Sequence, residues 1–254
     1  MRELHIIGGP ASNYVWMVRI ACAEKGVPYS LTSVLPHTPE VEAIHPVGKI
    51  PVMRHGEVTL GESRAICAYI DRVFDGPALV PADPVEAARV EQWVSIVNTT
   101  IDPVWIRQYV GAGYIFPGTP DKSPNRAAID AALPKMQQQF PVMDKAVASG
   151  HLVGDRFTLA DMNLMPILYY MNKFPESSAL LAASPKLKAY FERHFGRKSV
   201  QDSIPQSQPG TAGAEPAKVA RAANARGGGS HRGARRSRAP RDFRDAGRRA
   251  ALGG

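Results

Sequence analysis

The chain has 254 residues, 44% of them hydrophobic, which is ample for a core and suits one or two domains of roughly 100–200 residues each. No apolar run approaches the roughly 18 residues that a membrane span needs, and the N-terminus has no basic region followed by a long apolar stretch, so neither a membrane anchor nor a signal peptide is expected. The net charge of +8 is misleading, because Lys218 and ten arginines against Glu215, Asp242 and Asp245 put all of it in residues 205–254, while residues 1–204 hold twenty residues of each sign.

Leu4, Ile6 and Ile7 suggest a first strand, broken by Gly8-Gly9-Pro10-Ala11. Val15, Val18 and Cys22 share one helical face, with Gly26 as the residue that ends the helix and Pro28 just beyond. Tyr29 and Leu31 fit a second strand. Val52-Met53-Arg54 and Val58-Thr59-Leu60 fit two more, with His55-Gly56-Glu57 as a hairpin turn between them. Ile66, Tyr69, Ile70 and Val73 form another helical face. A domain is therefore expected over 1–76, followed by a linker over 77–83.

From residue 84 to 204 the period is helical. Val90, Trp93, Val94, Val97 and Ile101 lie on one stripe. Ser123-Pro124 reads as an N-cap followed by Pro at the first helical position. Ile129, Leu133, Met136, Phe140, Met143 and Val147 form a seam that Pro134 and Pro141 are expected to kink or break. Thr158-Leu159-Ala160-Asp161 resembles a capping box, so Asp161 is read as structural, and Phe157 with Met162 suits a hydrophobic staple. Ser184-Pro185 opens a last helix carrying Leu187, Phe191 and Phe195. Residues 205–254 contain almost no large apolar groups and are expected to be a disordered Arg/Gly/Ala-rich tail. Such a tail could neutralise nucleic-acid phosphates, but with Phe243 as its one aromatic residue it offers little for base stacking, and it could equally be a non-native extension.

Only Cys22 and Cys67 are present. Two unclustered cysteines suggest a reducing compartment, and a cytoplasmic location is expected. Both fall on apolar helix faces and are read as core.

Three segments in order, Gly48-Lys49-Ile50-Pro51-Val52, Glu62-Ser63-Arg64-Ala65-Ile66 and Gly154-Asp155-Arg156-Phe157-Thr158-Leu159-Ala160-Asp161, resemble the signatures of the cytosolic glutathione transferase family. The resemblance covers roughly residues 1–204. It implies an α/β thioredoxin-like N-terminal domain followed by an all-α helical-bundle domain. It also implies a cis bond before Pro51, glutathione as co-substrate, no metal, and a homodimer. The activity implied is conjugation of the glutathione thiolate to a small soft hydrophobic electrophile, a detoxification chemistry. A non-catalytic glutathione-binding module, or a glutathione-dependent isomerase, dehalogenase or peroxidase, are the alternatives.

On this resemblance Ile50 and Pro51 meet the cysteinyl part of glutathione, because the Ile50 backbone can pair with it as with an added strand. Glu62 and Ser63 open a helix whose free N–H groups suit the γ-glutamyl carboxylate. Lys49 and His37 are candidates for the glycyl carboxylate. The thiol needs a hydrogen-bond donor near a helix N-terminus to ionise. Pro10-Ala11-Ser12 resembles the serine-type classes, notably the phi-like one, which makes Ser12 the donor, with Tyr14 and Asn13 as rivals. Ser12 is equally suited to capping its helix. Val15, Trp16, Trp105, Gln108, Tyr109 and Tyr114 are candidates for an apolar electrophile pocket, the aromatics among them being equally suited to the interdomain core.

Overall fold

The computed structural model describes residues 3–205; the expected basic tail lies outside them, apart from its first residue. The first strand, β1 (Leu4–Ile7), pairs parallel with β2 (Tyr29–Thr32) and antiparallel with β3 (Val52–His55), which pairs antiparallel with β4 (Val58–Gly61). The strand order is β2-β1-β3-β4. Successive side chains of a strand point to opposite faces, and both faces of this sheet are covered. Ile6 and Met53 join the main core with helices α1 (Asn13–Lys25) and α3 (Ser63–Val73). Ile7 and Val52 pack on the other side against Val41 of the short helix α2 (Pro39–Glu42). Helix α2 was not foreseen in the sequence. Gly26 ends α1 at φ 67°, as expected of a residue that must turn left-handed.

The segment expected to be a linker is tied at both ends. The Asp71 carboxylate accepts from the N–H groups of Leu79 and Val80, at 2.8 and 3.2 Å, and the Leu79 carbonyl accepts from Leu159 N at 2.9 Å. Helix α4 (Pro84–Ile96) is capped by Asp83, whose carboxylate accepts from Val85 N and Glu86 N. The stripe from Val90 to Ile101 was expected to be one α-helix. Instead α4 widens into two π-helical segments, Val97–Ile101 and Pro103–Ile115, joined at Asp102. The wider turn changes which side chains face inward, and such turns recur at functional sites.

Four more helices of eight residues or longer follow: α5 (Arg126–Ala146), α6 (Leu159–Met171), α7 (Pro175–Ala182) and α8 (Pro185–Phe195), with a short α9 (Lys198–Gln201). Two expectations for α5 are corrected. Its N-cap is Asn125, whose Oδ1 accepts from Ala128 N at 3.1 Å, rather than Ser123. Pro134 and Pro141 do not break it; both rings lie on the solvent face, where water can serve the carbonyls they leave unpaired. The capping box at α6 is present. The Asp161 carboxylate accepts from Thr158 N and Thr158 Oγ1, and also from Leu152 N and the Tyr190 hydroxyl. Asp161 is fully buried and its role is structural.

Helix α1 packs against both α3 and α6, so one core serves sheet and helices alike. Trp16 meets Tyr169 edge-on at 4.9 Å and donates from Nε1 to Ser203 Oγ at 2.9 Å. The Tyr170 hydroxyl donates to the Ala11 carbonyl at 2.5 Å, which fixes the loop leading into α1. Cys22 and Cys67 are both buried free thiols in this core. Burial raises both thiol pKa values, that of Cys67 to about 12.

Candidate active site

Three backbone features converge at one edge of the sheet. The first is the end of β1. Gly8 has φ +151°, and a Cβ there would stand 2.8 Å from Val15 Cγ2 and 3.1 Å from Ile50 Cβ. Only glycine lets Ile50 approach the first turn of α1 this closely. The second is Ser12, the N-cap of α1, whose Oγ accepts from Val15 N at a long 3.4 Å. That contact uses the hydroxyl as acceptor and leaves its proton available. The third is the start of α3. Glu62 precedes it at φ 66°, and its side chain makes no capping hydrogen bond to the first turn. A non-glycine residue at positive φ costs roughly 1–2 kcal/mol and is typical of a site held for function.

The Ile50-Pro51 bond is cis. Lys49, Ile50 and Pro51 line a partly open cavity of about 180 Å³ together with Glu62, Ser63 and Arg64 from the α3 end. Ser63 is 6% exposed at the first position of α3. Lys49 is exposed and makes no ion pair among the described residues. The cavity is completed by His45, Tyr14 and Asn98.

His45 was missed from sequence, and it is the residue that orders Glu62. Its Nδ1 accepts from Val47 N at 3.2 Å, which leaves the proton on Nε2, 3.0 Å from Glu62 Oε1. A Cβ on Gly61 would stand 2.6 Å from the His45 ring, so glycine is required beside it. Arg64 belongs to the second of the three sequence motifs, which gave it no role. Its guanidinium forms a two-point pair with the Glu91 carboxylate on α4, which ties the start of α3 to the helical side, and its Nη1 is buried without a partner. Asn98, also missed, carried a readable signal: a polar residue at helical spacing within the stripe of Val94, Val97 and Ile101.

The rivals for the thiol donor stand in different places. Asn13 is occupied on both sides of its amide: Nδ2 donates to Asp102 Oδ1 at 2.8 Å and Oδ1 accepts from Arg107 at 3.3 Å. It is a structural tie to the helical side. Tyr14, not Ser12, lines the cavity at the α1 end, with the Arg107 guanidinium 5.2 Å from its ring centre. Burial and the nearby Asp102 carboxylate raise the Tyr14 pKa, so the phenol keeps its proton.

Other expected residues lie elsewhere. His37 is at φ 61° with its ring largely exposed, packed against Gly48 and 3.8 Å from Glu42; it flanks Lys49 without lining the cavity. The residues expected to line an electrophile pocket lie outside this cavity. Val15, Trp16, Trp105 and Tyr109 are fully buried core. Trp105 stacks on Phe140 at 4.2 Å and donates to Gln139. Tyr109 and Tyr114 both donate to the Glu176 carboxylate, and Tyr114 stacks on Phe174. Gln108 is half-buried, and neither it nor Tyr114 lines the cavity.

Among the described residues no group of three His, Cys, Asp or Glu side chains could hold a metal ion, and no helix is long and apolar enough to cross a membrane.

The small four-stranded sheet, the cis Ile50-Pro51 bond and the open start of α3 define a thioredoxin-like domain with a helical partner. Residues 6–78 match the family model described as glutathione S-transferase, N-terminal domain, and residues 110–198 match the one described as glutathione S-transferase, C-terminal domain. Glutathione S-transferase F13 of Arabidopsis thaliana is 31% identical over 170 residues, 65% of this chain and 76% of that one. A stringent starvation protein A homolog of Haemophilus ducreyi is 28% identical over 207 residues, 77% of this chain and 87% of that one. Among solved structures, the theta class glutathione S-transferase of Xanthomonas axonopodis pv. citri with glutathione bound is 27% identical with a TM-score of 0.68, covering 82% of this chain and 99% of that one. The chain belongs to the glutathione S-transferase family.

Proposed function

We propose that this protein is a glutathione transferase that ionises the glutathione thiol and presents it to a soft hydrophobic electrophile. The observation that carries the reading is one cavity that joins Lys49, Ile50 and Pro51 to the uncapped start of α3 at Glu62-Ser63. The first-turn N–H groups and the Ser63 hydroxyl suit the γ-glutamyl carboxylate, and the partial positive charge of the helix end strengthens that contact. Glu62, oriented by His45, accepts from the γ-glutamyl amine. The Ile50 backbone pairs with the cysteinyl residue, and Lys49 serves the glycyl carboxylate. Glutathione bound in the Xanthomonas relative supports the choice of ligand.

The sulfur then points toward α1. Ser12 donates its unused proton to it there, and the N-terminal end of α1 favours negative charge. The proton of the thiol leaves to water, the thiolate forms the new S–C bond, and the leaving group departs from the electrophile. The same reading takes the protein as a cytoplasmic homodimer in detoxification, with a glutathione-binding domain over 1–76 and a helical domain over 84–204.

A second reading keeps the binding site without turnover. It is favoured by Tyr14 rather than Ser12 lining the cavity, and by the similarity to a stringent starvation protein A homolog. Two measurements separate the readings. Conjugation of glutathione to a chloronitrobenzene supports the enzyme; retention on a glutathione resin without turnover supports the binding module; failure to bind glutathione removes both.

A further inference from the structure

The side chain of Ser12 is only loosely held by its own contact. Its Oγ accepts from Val15 N at 3.4 Å, a weak bond. The backbone around it is held firmly. Gly9 to Ser12 form a tight turn with Pro10 at its second position, closed by Ser12 N donating to the Gly9 carbonyl at 3.0 Å. That bond holds the N–H end of the peptide unit that joins Ala11 to Ser12. The carbonyl end of the same unit accepts from the Tyr170 hydroxyl at 2.5 Å. Helix α1 makes no use of this carbonyl, since its first acceptor is the Ser12 carbonyl, 2.9 Å from Trp16 N. A planar unit tied at both ends cannot rotate, and together with the Ser12 φ of −67° it sets the direction of the Ser12 Cα–Cβ bond.

Tyr170 reaches this turn from α6, which packs against α1. From Leu164 to Met171 that helix carries only apolar side chains and two tyrosines. Tyr170 is 3% exposed, and its hydroxyl has no acceptor other than the Ala11 carbonyl among the described residues. A phenylalanine would fill the same space, so what the hydroxyl adds is its bond to the turn. Burial pushes the Tyr170 phenol pKa up, so the group stays a donor throughout the range in which a thiol ionises.

We propose that Tyr170 is a positioning residue for thiol ionisation: by holding the Ala11–Ser12 peptide it keeps the Ser12 hydroxyl aimed at the glutathione sulfur. It acts through Ser12, because its own proton is taken by Ala11 and its side chain does not line the cavity. The proposal rests on the reading of Ser12 as the thiol donor. It adds that the helical side, through one phenol, sets the reactivity of a thiol whose peptide is bound by the sheet side.

The test compares Tyr170→Phe, Ser12→Ala and the double variant of the intact protein, by turnover with a chloronitrobenzene and by ultraviolet titration of bound glutathione. Tyr170→Phe keeps the ring and removes only the hydroxyl. It should lower kcat about three- to tenfold, the size of one hydrogen bond, and leave the KM for glutathione nearly unchanged. It should also raise the pH at which the bound thiol ionises. In the Ser12→Ala background the same change should have no further effect on either quantity. Losses that add in the double variant would show that Tyr170 does not act through Ser12, and they overturn the proposal. A Tyr170→Phe variant that melts at a lower temperature yet ionises and turns over glutathione like the unaltered protein overturns it too, as does one whose sole defect is weaker glutathione binding. Ser12→Ala separates the two levels. If it raises the ionisation of the bound thiol while Tyr170→Phe does not, this inference falls and the reading of the site stands. If Ser12→Ala changes nothing, or the unaltered protein does not bind glutathione, both fall. Circular dichroism on each variant confirms that the fold is retained.

Discussion

The two walls of the cavity are built differently. On the sheet side, the lining is set by backbone turns: the Ile50-Pro51 segment and the first turn of α3, with Gly8 leaving room for Ile50 to approach the first turn of α1. On the helical side it is a single side chain, Asn98, while Trp105 and Tyr109 are buried in the core. The difference teaches that the first wall depends on its turns as well as on the Glu62 and Ser63 side chains that the turns present. The second wall depends on the register of one helix.

Substitutions can break this comparison, beginning with the largest effect expected. Asp161→Ala removes a buried acceptor of four hydrogen bonds and should cost about 3–5 kcal/mol in urea unfolding, with glutathione affinity per folded molecule unchanged. Trp105→Ala should cost about 3–5 kcal/mol as well, because it leaves a cavity beside Phe140. If Trp105→Ala instead spared stability and abolished conjugation, Trp105 would belong to the electrophile site and the account of the helical wall would be wrong. Ser63→Ala should weaken glutathione about tenfold, on the order of 1.4 kcal/mol, with little change in stability.

The smallest effect sharpens the helical side through pH. Partial burial opposes the charge on Glu176, but hydrogen bonds from Arg126, Tyr114 and Tyr109 outweigh it and hold the carboxyl down at about 2. A carboxyl with a lowered folded-state pKa contributes stability that is present above its ordinary range and lost as pH falls toward about 2. Glu176→Gln should flatten that acid limb by lowering stability at neutral pH, with the variant and the unaltered protein converging as pH falls toward about 2.

The sheet, its hairpin and the starts of α1, α3 and α6 were readable because each is set by local chemistry: a glycine, a proline or a capping side chain at a fixed offset. The same holds for Ile50-Pro51 and Glu62-Ser63, which the fold brings to one cavity. His45 was not readable, since its partner Glu62 is seventeen residues away and the pairing depends on how β4 returns. The burial of Trp105 and Tyr109 was not readable, because the turns widen past Ile96 and an α-helical period no longer tells which side chains face inward. Pro134 and Pro141 were expected to interrupt α5, but which face a proline occupies is a tertiary property. Asn98 shows the intermediate case. Its position in an apolar stripe was visible, but its orientation depends on Asn163, sixty-five residues further along.

The central claim is that the cavity binds glutathione as a thiolate with Ser12 as the donor. Ultraviolet titration of glutathione bound to the protein tests it most directly, because the thiolate absorbs where the thiol does not. The account predicts ionisation well below the ordinary thiol range near 8.5, shifted back up in Ser12→Ala and unchanged in Tyr14→Phe. Bound glutathione that ionises like the free peptide, or a shift that disappears in Tyr14→Phe and survives in Ser12→Ala, would contradict it.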